Sequence, residues 1–163
     1  MKKKILLTGC AGFIGFHLAS SLCRDSYDVL GIDNLNNYYD INLKKARLKI
    51  LEKKYKKNFK FIKLDIRSKH LEKIFKKHKF SKVINLAAQA GVRFSVSNPE
   101  SYLDSNINGF YNILRISKKF NVKHFIYASS SSVYGQNNKF PYKENSNSDF
   151  PLSFYAATKK TNE

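Results

Sequence analysis

Cysteine and long apolar runs are scarce in this chain of 163 residues. The two cysteines, Cys10 and Cys23, are too few for a disulfide framework and have no metal-ligand spacing. No stretch approaches the roughly 20 apolar residues that a membrane-spanning helix needs. The apolar run after Lys4 is also too short for a signal-peptide core. We therefore expect a soluble cytoplasmic protein with no metal site and no membrane contact.

Acidic residues are also few, since 12 Asp and Glu stand against 30 Lys and Arg, for a formal net charge of +18. Such a balance can indicate a nucleic acid or another anionic partner. Much of the excess is lysine at positions expected on solvated helix faces. These are Lys53, Lys54, Lys56, Lys57, Lys76, Lys77 and Lys79. Because no nucleic-acid-binding motif accompanies them, we expect no nucleic-acid partner, although a basic surface favours the approach of a phosphate-bearing ligand.

Short apolar runs alternate with longer helical patterns along the whole chain. The predicted strands are residues 5–7, 29–32, 59–64, 83–86 and 125–128. The predicted helices are residues 13–22, 43–56, 68–78 and 102–120, with a helix-like pattern resuming at Ser153. Residues 34–40 and 134–151 are predicted loops, the first of them functional or inserted. This alternation predicts one α/β domain, residues 1–163, with a Rossmann-like, doubly wound parallel sheet.

A glycine-rich turn directly follows the first predicted strand and opens the first predicted helix. Gly9 permits the tight turn, Gly12 lets the backbone approach a pyrophosphate, and Gly15 lets the helix pack on the strand. The free N–H groups at the helix start would hold the phosphates. The spacing is G-x-x-G-x-x-G and not G-x-G-x-x-G, but the strand-turn-helix context indicates dinucleotide binding.

Two aspartates end the next predicted strands. Asp33 lies 18 residues after Gly15, where a carboxylate accepts both ribose hydroxyls and repels a 2′-phosphate, so that NAD is favoured over NADP. A capping or turn aspartate is the alternative. Asp65 is a weaker candidate for the adenine edge, and an ordinary turn or cap role is nearly as plausible.

A serine run, residues 129–132, follows the fifth predicted strand, and Tyr155 and Lys159 share one face of the last predicted helix. Ionising a tyrosine at neutral pH requires a pKa shift of about three units, or about 4 kcal/mol. A neighbouring ammonium and a positive nicotinamide ring can supply that shift. Tyr155 could then exchange a proton with a sugar hydroxyl. Taken alone, the pair would be an exposed helix pair and the serines an ordinary loop.

Together these motifs resemble the extended short-chain dehydrogenase/reductases, the NAD-dependent epimerases and dehydratases that act on nucleotide sugars. The resemblance implies Tyr155 and Lys159 as the proton-handling pair and Ser130 as the hydroxyl partner, with Ser131 and Ser132 as alternatives. It also implies a set of cofactor-binding residues. These are Gly9, Gly12, Phe13, Ile14, Gly15, Asp33, Asn34, Asp65, Ile66, Ala87, Ala88 and Lys159.

Residues 33–40 and 87–93 are similar to the UDP-glucuronate 4-epimerases within that family. The similarity implies a UDP-sugar as substrate, with UDP-glucuronate favoured, and places Gln89, Arg93, Ser130 and Ser131 near the sugar. The mechanism that the similarity implies is oxidation of the sugar at C4, turning of the keto intermediate, and return of the hydride to its opposite face. Sugar 4,6-dehydratases carry an acidic pair where this chain has Ser131 and Ser132, which argues against a dehydratase.

Members of that family are about twice as long as this chain. We therefore expect an incomplete NAD-binding domain that lacks the C-terminal substrate-binding part. Its protein partner would be either a second copy, in a homodimer through the helix at residues 102–120, or a complementing C-terminal chain. The alternative function is a noncatalytic NAD-binding fragment or one half of a split enzyme.

Overall fold

Five parallel strands form one sheet in the computed structural model, which describes residues 4–136 and 140–163. The strands are β1 (Lys4–Thr8), β2 (Asp28–Asp33), β3 (Phe59–Lys63), β4 (Phe80–Asn85) and β5 (His124–Tyr127). Their order is β3-β2-β1-β4-β5, and every pairing is parallel. The predicted doubly wound sheet is confirmed.

Helices cover both faces of this sheet. They are α1 (Phe13–Arg24), α2 (Ile41–Lys54), α3 (His70–Lys77), α4 (Phe94–Ser97), α5 (Pro99–Tyr102), α6 (Phe110–Lys119) and α7 (Phe154–Thr161). A π-helical segment, Leu103–Gly109, joins α5 to α6, and a 3₁₀ turn spans Ser131–Tyr134. Within the described ranges, no helix is both long and apolar enough to cross a membrane.

The core has two halves because successive strand side chains point to opposite faces. Ile5 and Leu7 of β1 pack in one buried cluster with residues of α1 and α2. Leu6 packs in the other, with residues of α3 and α6. The lysines predicted to lie on solvated helix faces are exposed. The apolar spacing of the helices is thus explained by burial, and these seven lysines lie on the outside.

Several element boundaries differ from the sequence prediction by one to three residues, and one helix was not predicted. β4 begins at Phe80, three residues earlier than predicted, because its pairing with β1 carries the polar positions Ser81 and Lys82 into the strand. α3 begins at His70 because Ser68 turns back, its amide donating to the Asp65 carbonyl at 3.0 Å. The short helix α4 is absent from the prediction.

The predicted helix at residues 102–120 is longer and composite, running from Pro99 through the π-helical segment to Lys119. Gly109 ends the π-helical segment where a Cβ would lie 2.6 Å from the Ile66 side chain, so the helix there approaches the loop after β3 closely. Beyond Tyr134, which ends the 3₁₀ turn, the described part of the predicted loop at residues 134–151 contains no helix or strand. Residues 137–139 lie outside the description.

Candidate active site

A cleft of about 360 Å³ lies at the carboxyl ends of the strands, where β1 and β4 are neighbours. In a doubly wound sheet this is the topological switch point, at which chains leave for opposite faces and a crevice opens. Sequence-predicted residues that line it are Gly9, Gly12, Phe13, Ile14, Gly15, Asp33, Asn34, Asp65, Ile66, Ala87, Ala88 and Gln89. The fold therefore brings twelve residues from four separate segments to one place.

The glycine turn forms the floor of the cleft. Gly9 has φ +68°, and a Cβ there would lie 2.8 Å from the Ala87 backbone nitrogen. Gly12 is the N-cap of α1 and provides no side chain to satisfy the first N–H groups of that helix. These groups have no partner inside the helix. The turn thus presents unsatisfied donors and the positive end of a helix dipole, which suits a phosphate.

Asp33 is 8% exposed and is held from two sides. One carboxylate oxygen accepts from the Ala11 amide at 3.2 Å, and the other accepts from the Leu35 amide at 2.8 Å. The first contact ties β2 to the glycine turn, and the second fixes the start of the loop that follows. Because each carboxylate oxygen has a second lone pair, both can still accept from a ribose.

The loop at residues 34–40 is folded over the cleft by α2. Lys44 is 5% exposed, and its ammonium donates to the Asn36 carbonyl at 2.9 Å and to Asn36 Oδ1 at 2.7 Å. The same ammonium lies 4.5 Å from the centre of the Tyr39 ring. Burial lowers the pKa of Lys44, and the charge of Asp33 opposes that shift. Lys44 therefore secures this loop against the protein.

Asp65 joins the loops after β2 and β3. Its carboxylate accepts from Asn34 Nδ2 at 3.0 Å and from the Arg67 amide at 2.8 Å. The Arg67 side chain also contacts Asp104 of the π-helical segment. Burial acts to raise the pKa of Asp65, but hydrogen bonds from Arg67 and Asn34 hold that pKa below its usual range. Asp65 is thus a tie between loops as well as part of the cleft wall.

We expect Asp65→Asn to lower the free energy of unfolding near neutral pH and to change it little in strong acid. A folded-state pKa below the unfolded value of about 3.9 gives stability that is complete above that value. That stability is lost as the pH falls through the folded pKa. Urea unfolding as a function of pH measures this, with the exposed Glu144→Gln as control. A wild-type advantage that stays constant with pH would contradict this role of the carboxylate.

Thr8 holds the backbone that leaves β4. Its hydroxyl donates to Asn85 Oδ1 at 2.6 Å and accepts from the amides of Leu86 and Ala87 at 3.1 and 3.0 Å. Asn106 continues the support. It accepts from the Gln89 amide at 2.8 Å and donates to the Gln89 carbonyl at 3.0 Å and to Thr158 Oγ1 at 3.1 Å. The wall at residues 86–89 is therefore fixed between β1 and α7.

Tyr155 and Lys159 lie on α7, which begins after the cap residue Ser153. Lys159 is 6% exposed and donates to the Ala128 carbonyl, a cleft residue, at 2.9 Å. Its ammonium lies 6.0 Å from the centre of the half-buried Tyr155 ring. Burial lowers the pKa of Lys159. The predicted pair is thus adjacent, with the lysine joined to the end of β5.

The serine run caps the 3₁₀ turn against which α7 packs. Ser130 Oγ accepts from the Ser132 amide at 3.2 Å, which leaves its own proton free to donate. Ser131 is exposed. Arg93, which the sequence predicts to lie near the sugar, is also exposed and directly precedes α4. Neither Arg93 nor the serines line the cleft described above.

Lys44, Tyr102 and Asn106 are structural contributors that the sequence patterns did not single out. Tyr38 and Tyr39 belong to the stretch at residues 33–40 that carries the family resemblance, but the sequence assigned neither of them a role. Lys44 stands in a helix rich in exposed lysines, and its burial has no local signal. A residue of this kind is found only through its tertiary contacts.

A family model described as GDP-mannose 4,6 dehydratase matches residues 6–163. The chain belongs to this family. The expected membership of the NAD-dependent epimerases and dehydratases is thereby confirmed. The chain is 52% identical to the protein CapI of Staphylococcus aureus, over 98% of this chain and 47% of that protein. It is 48% identical to a UDP-glucuronate 4-epimerase of Thermodesulfobacterium geofontis, over 95% of this chain and 47% of that one.

Solved structures of family members share the fold. The UDP-glucuronic acid 4-epimerase from Bacillus cereus, in complex with UDP-glucuronic acid and NAD, superposes with a TM-score of 0.85 at 35% identity. That match covers 98% of this chain and 49% of the enzyme. This chain therefore spans about half the length of the relatives it matches.

Proposed function

We propose that this chain binds NAD in the cleft and takes part in the 4-epimerisation of a UDP-sugar, with UDP-glucuronate as the favoured substrate. The observation that carries the proposal is the placement of buried Lys159 beside Tyr155, bonded to Ala128 at the end of the cleft. The relatives named UDP-glucuronate 4-epimerase support the choice of reaction and sugar.

The described residues fit a dinucleotide. The unsatisfied amides at the start of α1 suit its pyrophosphate, and Asp33 suits the adenosine ribose. Asn34, Asp65 and Ile66 form the wall beyond Asp33, where the adenine would lie. When bound, NAD supplies an acceptor and donor of hydride within one turnover.

The chain supplies the proton chemistry. Tyr155 takes the proton of the sugar C4 hydroxyl as that carbon is oxidised and returns it as the carbon is reduced. The Lys159 ammonium stabilises the tyrosinate through its charge. Ser130 donates its free proton to the reacting sugar oxygen, and Gln89 and Arg93 contact the sugar. Ser131 and Ser132 are neutral, so the chain offers no acid there to expel water, which favours epimerisation over dehydration.

Helix surfaces support self-association or docking of a complementing chain. Three large apolar side chains, Leu103, Tyr111 and Leu114, are exposed along the composite helix at residues 99–119. Such a stripe favours burial against another surface. Sedimentation of the protein across a range of concentrations measures this directly, and a monomer at all of them would rule out the homodimer.

Replacing Asp33 with asparagine is expected to weaken the binding of NAD about tenfold and to reduce the preference for NAD over NADP. The amide keeps one acceptor oxygen, but it loses the charge that binds two ribose hydroxyls and repels a 2′-phosphate. Titration of both dinucleotides measures the two affinities. The matched control is Asp25→Asn, at the opposite end of α1. An unchanged preference would show that Asp33 is only a structural tie between Ala11 and Leu35.

Separate titrations with NAD and UDP, followed by an assay with UDP-glucuronate, UDP-glucose and UDP-galactose, test the function. The proposal predicts NAD binding and conversion of UDP-glucuronate. Binding of NAD without any conversion would favour the alternative of a noncatalytic NAD-binding module. Failure to bind NAD would overturn both.

A further inference from the structure

Tyr102 is the last residue of α5 and is fully buried, at 0% exposure. Its hydroxyl donates to the Ala90 carbonyl at 2.7 Å and also contacts the Gly91 carbonyl. Two consecutive carbonyl groups therefore converge on one donor. Buried carbonyl groups left without a donor are costly. The Ala90 carbonyl also accepts from Gln89 Nε2 at the longer distance of 3.3 Å. The Tyr102 hydroxyl is therefore the donor that holds both carbonyl groups together.

The backbone at this point is constrained from the other side as well. Gly91 has φ +99°, and a Cβ there would lie 2.6 Å from the Tyr38 hydroxyl. Tyr38 belongs to the loop that Lys44 folds over the cleft. The segment at residues 89–91 is therefore enclosed between the loop after β2 and the Tyr102 hydroxyl. Gln89 and Ala90 of this segment line the cleft.

The Tyr102 ring contacts the proposed proton-transfer residue. The rings of Tyr102 and Tyr155 meet edge to face, with centroids 6.0 Å apart and planes at 75°. The centroid of the Phe94 ring lies 6.3 Å from that of Tyr102 and 5.0 Å from that of Tyr38. The edge-to-face contact between Tyr102 and Tyr155 is directional. A continuous row of aromatic side chains therefore connects the loop over the cleft to α7.

We propose that Tyr102 is a positioning residue, whose hydroxyl fixes the carbonyl groups of Ala90 and Gly91 and whose ring fixes the orientation of Tyr155. The two parts of one side chain thereby place two walls of the reaction site relative to each other. The catalytic consequence rests on the proposed function of Tyr155. The positional consequence does not, because it is a property of the folded chain alone.

The protonation state of Tyr102 agrees with a permanent donor. Burial raises its pKa, the charges that Tyr38 and Tyr155 would carry raise it further, and the Gln89 side chain acts in the opposite direction. The phenol therefore keeps its proton at neutral pH.

Two substitutions separate the hydroxyl from the ring. Tyr102→Phe removes only the donor, whereas Tyr102→Leu removes the donor and the aromatic contact. Tyr27 supplies the matched controls Tyr27→Phe and Tyr27→Leu, because it packs on the core at the amino end of β2, away from the cleft. These controls report the effect of losing a partly buried tyrosine elsewhere in the fold.

Hydrogen exchange of the folded chain is the deciding measurement, since local opening is resolved segment by segment. We expect Tyr102→Phe to speed exchange several-fold in residues 89–96. The Ser95 and Val96 amides there bond to the carbonyls of Val92 and Arg93, which directly follow the segment at residues 89–91. Tyr102→Leu should add faster exchange at the start of α7. The amides of β1 and β4 should change no more than in the Tyr27 controls. Uniform acceleration across the sheet, or none at residues 89–96, would overturn the proposal.

Steady-state kinetics with UDP-glucuronate supply a second measurement. A purely structural role of Tyr102 would not change KM and kcat separately in the two variants. Loss of the hydroxyl should raise KM about fivefold at nearly constant kcat, as expected for one lost hydrogen bond in the segment carrying Gln89. Loss of the ring should lower kcat about tenfold or more, because Tyr155 is misplaced. If the wild-type chain shows no turnover, the proposed function fails, and the exchange pattern still decides the role of Tyr102.

Discussion

Tyr155→Phe is expected to lower kcat by roughly 10²–10⁴-fold while leaving NAD affinity and folding almost unchanged, because general acid–base catalysis contributes a factor of that size. Phenylalanine keeps the ring that packs on Tyr102 and loses only the hydroxyl. Steady-state kinetics with UDP-glucuronate, alongside NAD titration and thermal unfolding of the same samples, measure the three quantities. The matched control is Tyr142→Phe, because the Tyr142 ring stacks on the Tyr134 ring in the loop before α7. Retention of more than about a tenth of the wild-type kcat by Tyr155→Phe would remove Tyr155 from the proton-transfer role.

The second large effect is expected at the glycine turn, where two alanine substitutions should have opposite signatures. A Cβ at Gly15 would lie 2.1 Å from the Gly9 carbonyl oxygen, a backbone atom that cannot turn aside. We expect Gly15→Ala to lower the free energy of unfolding by about 3 kcal/mol, at the upper end of overpacking costs. The gain in helix propensity, about 1 kcal/mol, offsets only part of this.

Gly12→Ala should instead affect binding. A Cβ there would lie 3.1 Å from the Gly9 carbonyl oxygen, and the backbone, with φ −68° and ψ 173°, accepts alanine. We expect a stability loss below about 1 kcal/mol. The methyl group would stand at the start of α1, between the phosphates and the amides, and NAD affinity should fall at least about tenfold, or about 1.4 kcal/mol.

Urea unfolding and NAD titration of both variants measure these two effects together. Each variant serves as the control for the other, because both add one methyl group to the same turn. If Gly12→Ala bound NAD as tightly as the wild type, the pyrophosphate would have to lie elsewhere than over this turn.

The sequence was sufficient for the sheet and most helices because their signals are local. Buried parallel strands such as residues 29–32 are short apolar runs, and α1 has an apolar face directly after its glycine turn. The start of β4 was not predicted because the polar Lys82 pairs with Ile5 of β1, and the polar Ser81 lies at the irregularity before it. The π-helical segment was not predicted because its cause, the close approach of Gly109 to Ile66, is a tertiary contact.

The cleft residues divide in the same way. The glycine turn, Asp33 and the Tyr155–Lys159 spacing are recognisable because each is a contiguous pattern at the end of a predicted element. Asn106 and Tyr102 act across 17 and 12 residues of sequence, on Gln89 and Ala90 respectively. In the sequence their side chains are indistinguishable from those of any amphipathic helix, because the loop that each one contacts is distant along the chain.

The most direct test of NAD-dependent 4-epimerisation by this chain follows the hydrogen at C4 of the sugar. This chain is mixed with a stoichiometric amount of NAD and UDP-glucuronate that carries deuterium at C4, and the product is analysed by mass spectrometry and NMR. We expect the C4 epimer with deuterium retained at C4, because the deuteride leaves for NAD and returns to the same carbon without exchange with water. Absence of the epimer, or an epimer whose C4 deuterium has been replaced by hydrogen from water, would contradict it.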